Sequence, residues 1–302
     1  MNPVKATKVE NPRRRQINFL IRLLISGIAL YFVFSKIDLQ QAFETLKSVH
    51  LSFFLLALLA FNLSKLVAAF RFKALIQALD ILIGNGYNIR LLYIGMFYNL
   101  FLPGSISGDA YKVYLLRQQN DTKTKLLVSA ALLDRVSGLV LLLIMAGIFL
   151  VFSSFTLDFP FFDAIIITAV VITLPVFYLG VRWFFSLFLK AFWVSSHLSF
   201  WVQAGQVACA LSLLWSLSVT DHYLDYLTLF MISSVVAVLP FTIGGVGARE
   251  LVFLYGVRYL NIQEETAVTF AILFFFVTAL TSLVGLFFSD KNKVNEPVAA
   301  GS

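Results

Sequence analysis

A few charged side chains stand inside long apolar stretches of this chain. An ionisable group at membrane depth is costly, and it is usually paired or functional. Such groups could hold a charged headgroup, pair with one another or carry a proton. The candidates are Asp109, Lys112, Asp134, Arg135, Arg249 and Glu250.

Two of these charge clusters lie at the end of, or just after, nearly the same sequence motif, and we call its two copies the repeated phrases. Residues 102–109 read LPGSISGD and residues 239–246 read LPFTIGGV, 137 positions apart. Proline ends or kinks a helix, glycine permits tight turns, and serine or threonine can satisfy the freed backbone groups. Irregular backbone at membrane depth survives only when it is buried in protein or lines a wet cavity. We therefore expect two hairpin tips beside an internal cavity.

The tip residues share small size or helix-breaking character, and some of them can contact a substrate. Helices that leave the tips should begin near Asp109 and Ala248, and their free N–H groups suit a phosphate or another anion. The predicted tip positions are Pro103, Gly104, Gly108, Pro240 and Gly247. The predicted substrate contacts beside them are Ser105, Ser107, Thr242, Gly244 and Gly245.

The composition places these residues in a membrane protein. Of the 302 residues, 60% are hydrophobic and only 13% are charged, whereas soluble domains are about 25% charged. The single cysteine excludes a disulfide framework, and the three histidines do not have metal-ligand spacing, so we expect no metal and no cofactor. The net charge of +7 is typical of positive inside loops near anionic lipid, so we expect no nucleic-acid partner.

Apolar runs divide the chain into long and short segments. A helix needs about 20 apolar residues to cross the hydrocarbon core. Two runs, 88–102 and 226–239, reach only roughly 20–22 Å at 1.5 Å per residue, and each ends at one of the repeated phrases. Runs of full length lie near 17–35, 51–69, 127–152, 161–181, 200–219 and 267–289.

The distribution of Lys and Arg favours hairpins over spans for the two short runs. If all eight runs cross the membrane, ten basic residues lie in inside loops and ten in outside loops. If the short runs return to the face that they entered, sixteen lie inside and four outside. The positive-inside rule favours the second arrangement. We therefore predict an all-α polytopic membrane protein with six full spans and two re-entrant helical hairpins from opposite faces.

This topology is an inverted repeat, since each half reads span, span, hairpin, span, but the halves start on opposite sides. Inverted repeats with interrupted helices at the midplane are typical of secondary transporters. We expect a basic cytoplasmic tail over 1–16, a single membrane domain over 17–289 with inverted halves 17–152 and 161–289, and a cytoplasmic tail over 290–302. The protein should lie in the cell (inner or plasma) membrane with both termini in the cytoplasm.

Each charged candidate also has a simpler interpretation. Arg249 is our first candidate for a phosphate contact, but it could instead form an interfacial pair with Glu250. Asp109 and Lys112 share one helix face, although Asp109 could simply be an N-cap. Asp134 and Arg135 point about 100° apart, so one of them could meet the hairpin, or both could lie at the interface. Lys65 either snorkels to the interface with Arg71 and Lys73 or lines the cavity.

Three stretches resemble the membrane region of the lysylphosphatidylglycerol synthase/flippase family. They are NLFLPGSISGDAYKVYLL (Asn99–Leu116), LLDRVSGL (Leu132–Leu139) and VLPFTIGGVGARE (Val238–Glu250), and the resemblance covers about residues 15–290. It implies that Pro240, Gly244, Gly245, Gly247, Arg249 and Glu250 form the family's central motif. It also implies that Asn99, Pro103, Gly104, Gly108, Asp109, Asp134 and Arg135 match earlier motifs, with Asn99 a further substrate contact.

This chain departs from the family in one motif and in length. Members often carry two adjacent glycines before the aspartate, where this chain has Ser107 and Gly108, so headgroup contacts could differ. The chain ends about where the membrane region ends, so we expect it not to synthesise lysyl-lipid by itself.

The favoured function is a flippase- or scramblase-like transporter that moves a phosphate-bearing phospholipid or glycolipid between leaflets. No nucleotide-binding or catalytic motif is recognisable, so we expect no enzyme activity, and movement would be downhill or ion-coupled, with Asp109, Asp134 and Glu250 as possible proton carriers. Two alternatives stay open. One is a membrane-embedded glycosyl or phosphoryl transferase acting on a polyprenyl lipid, and the other is an ion-coupled small-solute transporter. The sequence does not settle the oligomeric state.

Overall fold

Helices joined by short turns make up the protein in the computed structural model, which describes residues 49–101, 107–155, 160–238, 248–260 and 262–288. Two short 3₁₀ segments, Ser186–Ala191 and Val257–Tyr259, lie between helices. The α-helices are α1 Leu51–Gln77, α2 Asn85–Phe101, α3 Ser107–Gln119, α4 Thr124–Phe152, α5 Phe162–Phe184, α6 Phe192–Ser216, α7 Tyr223–Val238, α8 Ala248–Gly256 and α9 Glu264–Phe288.

Five described helices are long and apolar enough to cross a membrane. They are α1, α4, α5, α6 together with the 3₁₀ segment before it, and α9. All five overlap predicted full spans, although α1 ends later and α6 begins earlier than predicted. A long apolar helix satisfies its own backbone hydrogen bonds in lipid. The sixth predicted span, 17–35, and the predicted tails, 1–16 and 290–302, lie outside the described residues.

The two apolar runs that are too short to span form helices close to their predicted bounds. The 17 residues of α2 and the 16 residues of α7 correspond to about 25 Å at 1.5 Å per residue. The helices that follow the repeated phrases begin at Ser107 and at Ala248, where we expected starts near Asp109 and Ala248. These helix predictions are confirmed.

One end of the bundle collects the residues that follow α1 and those that precede α4. Ile76 and Ile83 share a buried cluster with Leu116 near the end of α3 and Leu127 near the start of α4. Phe188 of the 3₁₀ segment belongs to the same cluster. We name this the Ile76 end. Since α2 starts here and α3 finishes here, the α2–α3 pair leaves and returns to the same end.

The opposite end, named the Ser216 end, contains the start of α1 and the end of α6. The backbone N–H of His50 donates to the carbonyl of Ser216 at 2.9 Å. The α7–α8 pair begins and finishes at this end. Its Tyr226 hydroxyl accepts from the N–H of Gln263, just before α9, at 3.4 Å, and Tyr259, just after α8, contacts the ring of Phe155.

The two short helix pairs, α2–α3 and α7–α8, make equivalent contacts with the long helices of the two predicted halves. The pair α2–α3 packs on α9 through α2 and on α4 through α3. The pair α7–α8 packs on α4 through α7 and on α9 through α8. The most extensive contact is between α1 and α6, the second span of each predicted half. The contact of α1 with α2 corresponds to that of α6 with α7, and the contact of α1 with α4 corresponds to that of α6 with α9.

Small residues allow these helices to approach closely. Gly205 of α6 faces Ser64 of α1, so that an added Cβ would lie 2.8 Å from the serine Cβ. Gly285 of α9 faces the backbone of Tyr93 on α2, where an added Cβ would overlap the Tyr93 carbonyl and lie 2.7 Å from Phe97 Cβ. Close backbone approach at small residues is typical of helix packing in membranes, where van der Waals contact drives association.

Gly285→Ala tests the contact between the α2–α3 pair and the opposite half. The new methyl group has no room against the Tyr93 backbone, so we expect a loss of about 1–3 kcal/mol in stability from overpacking. Gly180→Ala on α5 is the matched control, because nothing lies within 4 Å of its added Cβ, and it should be neutral or slightly stabilising. Thermal melting in detergent measures both. Equal melting temperatures for the two variants would contradict this packing.

Candidate functional site

A buried ion pair joins α1 to α4 inside the bundle. Nε of Arg71 donates to Oδ1 of Asp134 at 2.7 Å, and the side chains are only 8% and 15% exposed. Nη1 of Arg71 also donates to Oγ of Ser199 on α6 at 3.0 Å. Gly138, one turn after Asp134, leaves space for the guanidinium, since an added Cβ would lie 2.8 Å from Nη1. Three long helices are thus tied together by one arginine.

A second ionic cluster ties the helix that leaves the first phrase to α4. Asp109 on the first turn of α3 accepts from Nζ of Lys112 at 3.1 Å and from Nε of Arg135 on α4. The Nζ atom of Lys112 also lies 5.3 Å from the ring centroid of Phe72 on α1. Gly95 on α2 makes room for the lysine chain, because an added Cβ there would overlap it. One carboxylate therefore holds cations from two helices.

An amide side chain of α2 forms a hydrogen bond with the start of α3 in the first helix pair. Oδ1 of Asn99 on α2 accepts from the backbone N–H of Gly108 at 2.8 Å. This bond satisfies one of the N–H groups that every helix leaves without an intrahelical partner in its first turn. Gly108 also lies so close to the carbonyl of Gly95 that an added Cβ would overlap it. Asn99 and the two glycines therefore fix how α3 leaves α2.

Arg249 on α8 folds back onto the helix that enters the second phrase. Its Nη1 donates to the hydroxyls of Ser233 and Ser234 on α7, each at 3.1 Å. Its guanidinium carbon lies 4.5 Å from the ring centroid of Phe274 on α9 and 5.5 Å from that of Phe230 on α7. A planar guanidinium suits this combination of stacking and hydrogen bonding. The second helix pair thus brings a cation to the interior.

Lys65 lies in the middle of α1, and its ammonium group contacts an aromatic ring. Nζ is 4.7 Å from the ring centroid of Phe61, and among the described residues it makes no salt bridge. The ring centroids of Phe61 and Phe274 are 5.7 Å apart, and the guanidinium of Arg249 lies over the ring of Phe274. The rings of Phe61 and Phe274 thus lie between the cation of α1 and that of α8.

Uncharged polar groups stabilise the crossing of α1 and α6 beside these cations. The hydroxyl of Ser64 donates to the carbonyl of Val202 at 2.9 Å and accepts from Nε2 of Gln206 at 2.9 Å. Nε2 of Gln203 donates to the carbonyl of Gly138 on α4 at 3.1 Å. Buried polar groups are stable only when they are hydrogen-bonded. This seam therefore holds α1, α4 and α6 in register around the charged groups.

Four helices contribute cations to this arrangement. The guanidinium and ammonium groups come from α1, α3, α4 and α8, and those of Arg71, Lys112 and Arg135 donate charge-assisted bonds to Asp134 and Asp109. The helices α3 and α8 begin at the two phrases, so their N-terminal N–H groups add partial positive charge there. Among the described residues, no group of three or more His, Cys, Asp or Glu could hold a metal ion.

Several expectations for the site residues can be compared with the structure. Asp109 and Lys112 do share one helix face, and Asp109 is the third residue of α3 rather than its N-cap. Arg135 is the member of the Asp134–Arg135 pair that meets the first helix pair, while Asp134 binds Arg71. Asn99 and Gly108 contact each other, and Ser107 begins α3.

Other predicted site residues lie outside the described part of the structure. The side chain of Glu250 is among them, although its backbone belongs to α8. The remaining positions are Pro103, Gly104, Ser105, Pro240, Thr242, Gly244, Gly245 and Gly247.

Arg71, which one of the two interpretations of Lys65 placed beside it at the interface, is buried in the structure. The helix α1 continues to Gln77, eight residues beyond the apolar run, so Arg71 is enclosed by its neighbours and pairs with Asp134. The polar residues of α6 were also missed. Ser199, Gln203 and Gln206 recur at spacings of four and three in an apolar helix, a pattern that marks a polar stripe on one face.

The fold and the buried charges define a polytopic helical membrane protein with a polar interior. The family described as the lysylphosphatidylglycerol synthase TM region matches residues 19–285. Since this match covers most of the chain, the protein belongs to that family. No curated protein and no solved structure matches the chain.

Asp134→Asn tests the buried ion pair. The change leaves Arg71 buried without its carboxylate, so we expect a loss of about 3–5 kcal/mol in stability. Asp80→Asn is the matched control, because Asp80 pairs with Lys190 at 3.0 Å on the surface, and exposed pairs contribute little. Asp80 also has a positive φ of 57°, which asparagine tolerates. Thermal melting in detergent compares them, and equal effects would refute the structural role of the buried pair.

Proposed function

We propose that this protein moves a phosphate-bearing lipid between the two leaflets of the membrane. The headgroup would bind in a cavity near the midplane, between two re-entrant hairpins formed by α2–α3 and α7–α8, while the acyl chains stay in the surrounding lipid. The observation that carries the proposal is that each short helix pair leaves and returns to one end of the bundle. Both pairs also bring cations to the interior.

Length and contacts support the hairpin interpretation. At about 25 Å, neither α2 nor α7 matches the roughly 30 Å of hydrocarbon that a span must cross. The second helix of each pair packs on the first, so the chain can turn within the membrane without exposing its backbone to lipid. Broken helices whose N-termini point at a substrate near the midplane are a recurring feature of secondary transporters.

The equivalent contacts of the two helix pairs with the long helices support an inverted repeat. When 137 is added to each residue number, α2 coincides with α7 to within one residue at its start, and both end at the equivalent position. The same shift places Lys112 on Arg249, so each pair has a cation at the equivalent position of its outgoing helix. In such a repeat, one half can rock against the other and expose a fixed site to either leaflet.

The charge distribution supports an orientation in the cell membrane. With both termini in the cytoplasm, the Ile76 end faces inward and carries the basic loops, while the Ser216 end faces outward. Because the sequence has no nucleotide-binding motif, the proposed movement is downhill or ion-coupled. Asp109 and Asp134 are already bound to cations, so proton coupling through either would require its ion pair to open.

Arg249→Gln tests the headgroup contact in proteoliposomes with an acyl-labelled fluorescent phospholipid and a quencher that reaches only the outer leaflet. Wild-type protein should make the inner-leaflet lipid accessible. A hydrogen bond to a charged group contributes about 1.5–3 kcal/mol, so we expect the variant to slow lipid movement by about tenfold or more.

Arg258→Gln is the matched control. Arg258 lies on the exposed 3₁₀ segment after α8, over the ring of Tyr255 at 5.5 Å, and the lipid rate should not change. Lipid movement no faster than in protein-free vesicles would overturn the proposed function. Equal slowing by the two variants, with folding intact, would remove Arg249 from the site.

A further inference from the structure

The interior carries more positive than negative charge. Among the described side chains of the two ionic clusters and the Phe61–Phe274 ring pair, two are carboxylates and five are cations, while the buried carboxylate of Asp225 lies apart from them and accepts from Ser154. The two carboxylates, Asp109 and Asp134, are already bound by Lys112, Arg135 and Arg71. Even a charged Glu250, whose side chain lies outside the described part, would leave a surplus. The cations are Lys65, Arg71, Lys112, Arg135 and Arg249.

Lys65 has the least compensation of this group. In the described structure, its Nζ atom makes no hydrogen bond or salt bridge, and it lies 4.7 Å from the centroid of Phe61. A cation–π contact of this kind supplies about 0.5–2 kcal/mol, much less than the cost of placing an ammonium group at membrane depth. An anion beside Lys65 would supply the compensation that the described chain does not provide.

The position of Lys65 does not fit an interfacial role. Its ammonium group points back by one turn to Phe61, toward the middle of α1, rather than toward Lys73, which binds Oδ1 of Asn85 near the Ile76 end at 2.6 Å. Through Phe61 and Phe274, it is two rings away from Arg249 of the second helix pair. The two cations thus face the same aromatic pair from different helices.

We propose that Lys65 and Arg249 together bind a phosphate group of net negative charge, so that the substrate is an anionic phospholipid rather than a zwitterionic or cationic one. This inference rests on the proposed lipid transport. A phosphate that carries no ammonium of its own neutralises the surplus cations. A zwitterionic headgroup brings a further cation into a site that already repels it, and an aminoacylated headgroup brings more.

The experiment compares two acyl-labelled lipids in vesicles of phosphatidylcholine: phosphatidylglycerol, with one net negative charge, and phosphatidylcholine, with none. Wild-type protein should move the anionic lipid about tenfold faster or more, the factor that a charge-assisted hydrogen bond supplies. Lys65→Gln should remove that preference, and Lys65→Arg should restore most of it. Lys73→Gln, the matched control on the same helix, should keep the wild-type preference.

A binding measurement separates this inference from the proposed function. Thermal melting in detergent is recorded with short-chain phosphatidylglycerol, short-chain phosphatidylcholine or inorganic phosphate. We expect stabilisation by the anionic lipid in the wild type and its loss in Lys65→Gln. Stabilisation by inorganic phosphate alone, lost in the same variant, would support the anion site but make free phosphate its ligand and count against lipid transport.

Two results would overturn the inference while leaving lipid transport intact. One is equal movement of both lipids by the wild type. The other is a Lys65→Gln variant that folds, moves lipid and keeps the preference for the anionic headgroup. If neither lipid moves and neither lipid nor phosphate stabilises the protein, both the transport proposal and the anion site are wrong.

Discussion

The structure depends on one constraint: charged groups and irregular backbone inside an apolar bundle must be satisfied by the protein itself. Arg71 meets this constraint by binding Asp134 and Ser199 on two other helices. Asp109 meets it by accepting from cations on α3 and α4. Since removing either carboxylate strands a buried cation, these pairs fix how the first helix pair and the long helices pack together. Gly138 and Gly95 serve the same requirement, because they leave room for the side chains of Arg71 and Lys112.

The same constraint bears on the proposed anion site. Structural ion pairs would be expected to balance, with one carboxylate for each cation, yet five cations accompany two carboxylates among the described side chains of the two ionic clusters and the Phe61–Phe274 ring pair. Arg249 is held by serine hydroxyls and aromatic rings, and Lys65 by a single ring. In the proposed function, these two cations are the groups that an anionic headgroup would meet.

Much of this fold could be predicted from the sequence, because the information is local. Apolar length identifies the five described spans, and two prolines followed by glycines identify where the short helices stop. The contact of Asp109 with Lys112 follows from helical spacing. The pairing of Arg71 with Asp134 could not be predicted, since it joins residues 63 positions apart and depends on how far α1 extends beyond its apolar run. The contact of Phe61 with Phe274, which places Lys65 near the second helix pair, likewise depends on which faces of the long helices meet.

The central claim is that α2 and α3 form a hairpin that returns to the face from which it starts. Single cysteines at Gln77, Lys123 and Thr220, in a background where the buried native Cys209 is replaced by alanine, test it most directly. A membrane-impermeant maleimide is added to intact cells and then to opened membranes. The account predicts that Thr220 is labelled in intact cells, whereas Gln77 and Lys123 are both labelled only after opening. Labelling of Lys123 together with Thr220, on the side opposite to Gln77, would mean that α2 crosses the membrane and would contradict the account.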